Sequence, residues 1–285
     1  MRPNWEEPGF EPLRGVSFEA FVQRDDLIHP VVSGNKSRKL IGWLNRASEA
    51  GATRLVSMGG AYSNHLIALA SVARDCGFES ACYVRGDEPI SNLYLDYAQS
   101  QEMELIPLTR TEFRSLREQG PTTLKAGDLF IPEGGAGEPA WVGFGALVQS
   151  WPEDLSFVIH ASATASTALG LGLSLSALGR STKVIAVAVL KNAEEQRAAA
   201  AKLGLHNVEV WDDCHWGGYA KTPEALLAYW RQAEARTGLT LDPIYTAKSL
   251  YALESAMAEN RVQGSAMYYH SGGCWGGLSE RFRTY

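Results

Sequence analysis

Val184-Ile185-Ala186-Val187-Ala188-Val189-Leu190 runs without a single polar side chain. A strand with one face in water alternates apolar and polar residues, so a run this uniform fits a strand covered on both faces, as in a parallel sheet. Its neighbours support that reading. Upstream, Phe157-Val158-Ile159-His160 reads as a strand, and a helical stretch through Leu169 and Leu173 follows it. Downstream come a helix over Glu194 to Leu203, the strand Val208-Glu209-Val210, a helix over Pro223 to Thr237 and the strand Met267-Tyr268-Tyr269-His270. The first half keeps the same rhythm. Leu55 to Met58 runs into Gly59-Gly60, and a helix from about Asn64 stops at Gly77. Then come Ala81 to Val84 (strand), Leu93 to Gln101 (helix), Glu104 to Ile106 (strand), Thr111 to Glu118 (helix) and Leu129 to Ile131 (strand). Strands that alternate with helices need crossover connections, which predicts an α/β fold with open, mainly parallel sheets flanked by helices.

The 285 residues, 45% hydrophobic and 20% charged, suit one large or two modest globular domains. Lysine and arginine number 26 against 32 acids, a net charge of −6 with no basic block, which argues against nucleic acid or an anionic membrane as partner. The run Val184 to Leu190 is the longest apolar stretch, far short of the roughly 20 residues of a membrane helix. No apolar signal core follows Met1-Arg2-Pro3-Asn4-Trp5-Glu6-Glu7. Cys76, Cys82, Cys214 and Cys274 lack CxxC spacing, so neither structural zinc nor a disulfide framework is expected. These features read as a reduced, cytoplasmic protein.

In open parallel sheets, ligands bind where strands end and helices begin. Polar segments stand at such places: Gly59-Gly60-Ala61-Tyr62-Ser63-Asn64-His65, Ser162-Ala163-Thr164-Ala165-Ser166-Thr167, and Ser271-Gly272-Gly273. Ser63 and Asn64 can cap a helix, and a capped terminus also receives carboxylate or phosphate. The hydroxyls and N–H groups of Ser162 to Thr167 suit a phosphate, although hydroxyl-rich turns also arise without one. In Ser33-Gly34-Asn35-Lys36-Ser37-Arg38-Lys39-Leu40, Lys36 falls just inside a helix start. Most lysines are surface groups, yet a cation there opposes the helix dipole, an objection that a Schiff-base lysine escapes. No GxxxxGK[ST] and no GxGxxG after a strand is present. Asp213, Cys214 and His215 are adjacent and diverge, so no metal is expected.

Arg24-Asp25-Asp26-Leu27 followed by Gly34-Asn35-Lys36-Ser37-Arg38-Lys39-Leu40 resembles the 1-aminocyclopropane-1-carboxylate deaminase / D-cysteine desulfhydrase family, fold type II pyridoxal-phosphate enzymes similar to tryptophan synthase β. The resemblance continues through Gly59-Gly60-Ala61-Tyr62-Ser63-Asn64-His65 and Pro132-Glu133-Gly134-Gly135. It extends to Gly218-Tyr219-Ala220, Leu241-Asp242-Pro243-Ile244-Tyr245-Thr246-Ala247-Lys248 and His270-Ser271-Gly272-Gly273. It implies pyridoxal 5′-phosphate as cofactor, a small amino acid as substrate and a homodimer. It also implies a large domain over 1–44 and 141–285 with a small α/β domain inserted over 45–140.

By the same resemblance Lys36 carries the cofactor and moves the substrate α-proton, and Lys39 approaches the phosphate. Asn64 bonds the ring hydroxyl, and Ser162, Ala163, Thr164, Ala165, Ser166 and Thr167 bind phosphate. Ser63, with Asn64 and His65, takes the substrate carboxylate and is also a catalytic acid/base candidate; Tyr219 and Tyr245 are the two active-site tyrosines, catalytic as well. Thr246 faces the pyridine nitrogen, with Ser271 close by. The deaminases have glutamate and leucine at these last two positions, and the desulfhydrases usually have threonine at both. A neutral hydroxyl can donate to an unprotonated ring nitrogen, whereas a carboxylate keeps it protonated. The pair therefore favours α,β-elimination from D-cysteine; cyclopropane deamination and a weakly catalytic binding homologue are the alternatives. The chain departs from the family at Ala163, Ala165, Ser166 and Ala220, where glycine is usual.

Overall fold

The computed structural model describes residues 3, 5–86 and 91–278. The chain opens with β1 (Phe10–Pro12), β2 (Phe21–Gln23), α1 (Asn35–Glu49), β3 (Arg54–Gly60), α2 (Asn64–Asp75) and β4 (Glu79–Arg85). It goes on through α3 (Leu93–Ser100), β5 (Glu104–Leu108), α4 (Arg110–Gln119), β6 (Asp128–Ile131), α5 (Gly145–Gln149), β7 (Phe157–Ser162) and α6 (Ser166–Ala177). The remainder is β8 (Lys183–Ala188), α7 (Ala193–Lys202), β9 (Val208–Trp211), α8 (Glu224–Thr237), α9 (Thr246–Ala258), β10 (Ala266–Tyr269) and α10 (Trp275–Leu278). Among the described residues no helix is long and apolar enough to cross a membrane.

The chain divides into two compact units. Among the described residues, one takes His29–Gly143 with Pro3, Trp5 and Glu6; the other takes Glu7–Ile28 and 144–278. In this division α1, and with it Lys36, belongs to the unit 29–143. That unit holds a parallel sheet in the order β5-β4-β3-β6. The second holds a sheet in the order β1-β2-β10-β7-β8-β9, parallel except for the β1–β2 pair.

The opening apolar run explains itself in the second unit. Val184, Ala186 and Ala188 of β8 face a cluster with Phe144, Leu147, Leu171 and Leu175, from α5, α6 and the residue before α5. Ile185 and Val187 face the opposite cluster, with Leu226 and Trp230 of α8 and Leu250 and Leu253 of α9. Both faces of the strand are core, so neither tolerates a polar residue. Gly170 on α6 lets Phe144 close in, since a Cβ there would lie 2.4 Å from the ring.

In the first unit the helix expected from Asn64 ends at Asp75, and Gly77 follows with a φ of 76°. Asn92 caps α3 by accepting the N–H groups of Tyr94 and Leu95, and Thr109 and Glu112 close a capping box on α4. The Arg24-Asp25-Asp26-Leu27 element is a polar brace in the second unit. Arg24 donates to both carboxylate oxygens of Asp26, at 3.0 and 2.9 Å. Asp25 is wholly buried and accepts from Gln23 at 3.0 Å and Tyr269 at 2.8 Å.

Candidate active site

The expected residues gather into two groups, one on each unit. On the first, Gly34 precedes α1 with φ 63° and ψ −141°, a conformation that a side chain disfavours. This turn sets Asn35 and Lys36 into the first helical turn, where Ser37 Oγ donates back to Gly34 O at 2.6 Å. Lys36 is half-buried, and the loss of hydration pushes its ammonium down to about 8. Lys39, one turn on and 2% exposed, donates to Gly134 O at 3.3 Å. Its ammonium is held well below the ordinary lysine value by burial and then by the charge of Lys36. The lowered value makes a proton easier for Lys36 to lose than for an ordinary lysine, and the neutral amine is the form in which lysine is a nucleophile.

Ser63 stands before α2 in an extended conformation, and its side chain makes no capping bond. Capping therefore does not account for this serine. Asn64 begins α2, and His65 beside it is 1% exposed. Ser57 Oγ donates to Ile131 O at 2.7 Å and so accepts from His65 Nε2 at 2.9 Å. That chain places a proton on Nε2. Burial, then Lys36 and Lys39, hold the imidazole well below its usual value. With the ring committed to Ser57, what His65 can offer a substrate anion is its backbone N–H near the start of α2.

On the second unit β7 ends at Ser162 and α6 begins at Ser166, so residues 162–167 lie at a strand-to-helix junction. Ser162 Oγ donates to Gln196 at 2.6 Å, and Asn192 Nδ2 donates to Ala163 O at 2.8 Å. Gln196 in turn donates to Asn192 at 2.9 Å. Ala163 and Thr164 are half-buried, whereas Ala165, Ser166 and Thr167 are buried. Ser166 Oγ is buried with no hydrogen-bond partner among the described residues. Ala165 has φ 57° and ψ −26°, the left-handed conformation that glycine adopts without strain. Ala165→Gly is accordingly expected to stabilise the protein by roughly 0.5–1 kcal/mol, strain relief outweighing the added chain entropy. A urea midpoint that falls on this substitution would overturn that account.

Tyr219 and Tyr245 come together, with ring centroids 6.3 Å apart in an edge-to-face pair. Thr246, wholly buried, opens α9. Its Oγ1 accepts the N–H of Asp242 at 2.7 Å and donates to Asp242 Oδ2 at 2.9 Å. The hydroxyl proton expected to point at a ring nitrogen is thus directed at a carboxylate. Asp242 also accepts the N–H groups of Ile244, Tyr245 and Thr246, at 2.8, 2.8 and 3.1 Å. Ser271, 6% exposed, follows β10.

Residues 3–272 match the family described as pyridoxal-phosphate dependent enzyme. The chain belongs to that family. Pyridoxal 5′-phosphate is therefore the cofactor of this enzyme. A Pyrococcus horikoshii protein provisionally named 1-aminocyclopropane-1-carboxylate deaminase is 26% identical, over 92% of this chain and 87% of its own. A protein of Salmonella paratyphi B named D-cysteine desulfhydrase is 27% identical, over 90% of this chain and 87% of its own. A crystal structure described as an ACC deaminase homologue superposes with a TM-score of 0.78 at 24% identity, covering 95% of this chain and 91% of the other, and carries the fold-type-II architecture.

The residues present fit the cofactor. On one unit Lys36 stands half-buried at the start of α1 with its ammonium pushed down to about 8, and the other has a strand-to-helix junction with an orphaned buried hydroxyl, Ser166 Oγ. Three residues of this pyridoxal-phosphate enzyme were not legible beforehand. Asn192 and Gln196 brace the 162–167 junction from around α7, and Asp242 engages Thr246. The first two lie far along the chain from their partners with no motif to mark them. Asp242 was in view inside Leu241 to Lys248, but nothing in its spacing showed four bonds converging on it.

Proposed function

We propose that this enzyme catalyses α,β-elimination from a small amino acid, with D-cysteine the preferred candidate. The reaction converts D-cysteine and water into pyruvate, ammonia and hydrogen sulfide. The observation that carries the reading is the pair of hydroxyl side chains, Thr246 and Ser271. When bound, the cofactor withdraws electrons from the substrate α-carbon and so makes its proton removable. Lys36 would hold the cofactor covalently, and its Nζ would be the base that takes the α-proton. Lys39 and the Ser162–Thr167 junction hold the phosphate, and Asn64 holds the ring hydroxyl. Ser63 and the N–H groups of Asn64 and His65 orient the substrate carboxylate. Tyr219 and Tyr245 supply phenolic hydroxyls for the departing group. Thr246, its own hydrogen bonds taken up by Asp242, brings no formal charge to the ring nitrogen, unlike a glutamate at that position.

The test is keto-acid release from a panel of D-cysteine, L-cysteine, a β-chloro amino acid and 1-aminocyclopropane-1-carboxylate. D-cysteine and the β-chloro compound should be consumed, and the cyclopropane, which lacks a β-leaving group, should be inert. Efficient deamination of the cyclopropane would overturn the use made of Thr246 and Ser271. The left-handed Ala165 favours a second reading, a binder with little turnover. That reading requires the visible absorbance of bound cofactor with no keto acid from any member of the panel. A cytoplasmic homodimer belongs to the same proposal; light scattering would measure the oligomer.

A further inference from the structure

Lys248 is a buried cation with no part in the chemistry above. Its residue is 0% exposed, and its Nζ donates to His215 O at 2.9 Å and to Gly218 O at 3.0 Å. Those two carbonyls open successive turns. His215 O also accepts the N–H of Gly218 at 3.0 Å, and Gly218 O accepts that of Lys221 at 3.2 Å. Tyr219 and Ala220 are the central residues of the second turn.

This stretch does not hold its shape by local preference. Trp216 and Ala220 have φ values of 54° and 53°, and Gly217 and Gly218 are also at positive φ. Non-glycine residues stay in that region only where surrounding contacts over-determine them. Beside the two backbone bonds, Gly217 N–H donates to His215 Nδ1 at 2.9 Å, and Trp216 packs edge-on against Tyr251 with centroids 4.9 Å apart. Lys248 adds a charge-assisted pair of bonds, stronger than neutral ones, at the junction of both turns. It projects from the first turn of α9, the helix that Tyr245 immediately precedes. One ammonium therefore ties the Tyr219 turn to the helix that carries its ring partner.

We propose that Lys248 is a positioning residue that holds the Tyr219 turn so that the Tyr219–Tyr245 pair is preformed. Its effect on turnover rests on the use of Tyr219 proposed above; its effect on the turn does not. The variants are Lys248→Met, which keeps the length and removes every donor, and Lys248→Gln, which keeps donors on a shorter side chain. Both are compared with Tyr219→Phe and the double variant Lys248→Met/Tyr219→Phe. Amide hydrogen exchange over residues 215–220 of the holoenzyme should rise at least about 10-fold in Lys248→Met, the scale of one lost charge-assisted hydrogen bond. The amides of β7 and β8 should stay unchanged, and Lys248→Gln should fall between Lys248→Met and the parent. With D-cysteine, or whichever amino acid the panel identifies, kcat/KM of Lys248→Met should approach that of Tyr219→Phe, and the double variant should lose no more. Unchanged exchange at 215–220 in both Lys248 variants would overturn the proposal, as would full additivity with Tyr219→Phe. If Tyr219→Phe alone leaves turnover intact, the role of Tyr219 in elimination fails, and exchange alone then decides whether Lys248 holds the turn. Should Lys248→Met not fold, Lys248→Gln with parental exchange overturns the proposal, and raised exchange confined to 215–220 upholds it.

Discussion

Lys36→Ala should eliminate the borohydride-fixed cofactor adduct and lower turnover on the order of 10³-fold or more, since it removes both the covalent tether and the base that moves the α-proton. The control is Lys39→Ala, which should keep the adduct and bind the cofactor less tightly. Peptide mapping of the reduced protein reads both. An adduct retained in Lys36→Ala would transfer the tether to another lysine, with Lys39 the first to examine. The same amine predicts a pH dependence. Only neutral Lys36 adds to an aldehyde, and burial places its ammonium at about 8. Capture of cofactor by the unloaded protein should therefore speed up as pH rises through about 8 and level off above it. For stability the sign follows from a folded value below the unfolded one. Between about 8 and the ordinary lysine value of 10.5 the unfolded chain binds a proton that the folded chain does not, so Lys36 makes the protein more stable as pH rises across that window.

Asp242→Ala should be the most damaging substitution outside the lysine. Asp242 is 0% exposed, and its carboxylate accepts three backbone N–H groups as well as the Thr246 hydroxyl. Alanine leaves those donors buried and unmatched. At roughly 1–3 kcal/mol for each unsatisfied group, partly relieved by water, the loss should be about 3 kcal/mol. Asp242→Asn keeps one acceptor oxygen and should lose about half as much. Urea denaturation measures both, and a loss below about 1 kcal/mol for the alanine variant would mean that the start of α9 holds without its cap. Asp242→Ala should also free the Thr246 hydroxyl and shift the visible absorbance of bound cofactor, an effect that simple destabilisation does not produce.

The strands and helices of the α/β rhythm were legible because each carries its own signal. The uniform apolarity of β8 reflects two covered faces, and the Asn64 helix stops where Gly77 takes a positive φ. What escaped notice was held by contacts distant in sequence. Strands β1 and β2 are three residues each and exist through their partners, β2 against β10. Helix α9 is buried on most sides, so no amphipathic stripe marks it, and its start depends on Asp242 rather than on a serine or threonine in the usual place. Motifs pointed to Lys36, Ser63 and the 162–167 junction as candidates. Their local chemistry required the fold: His65 spends its ring on Ser57, and Thr246 spends its hydroxyl on Asp242. The glycine-poor composition of the junction was readable, but the left-handed φ of Ala165 was not.

The pairing of β2 with β10 also sets an order of events during synthesis. Phe21 is registered against Met267, and the Asp25 carboxylate waits for the Tyr269 hydroxyl. During translation β1 and β2 leave the ribosome long before β10, with which β2 pairs. The sheet of 29–143, whose strands are all close in sequence, can close early, while β2 carries an unpaired edge until β10 arrives. Such non-local closure slows folding and exposes edges in the interim. The larger sheet is therefore the slow step in maturation, and the interval before β10 emerges is the period in which a nascent chain is most open to aggregation.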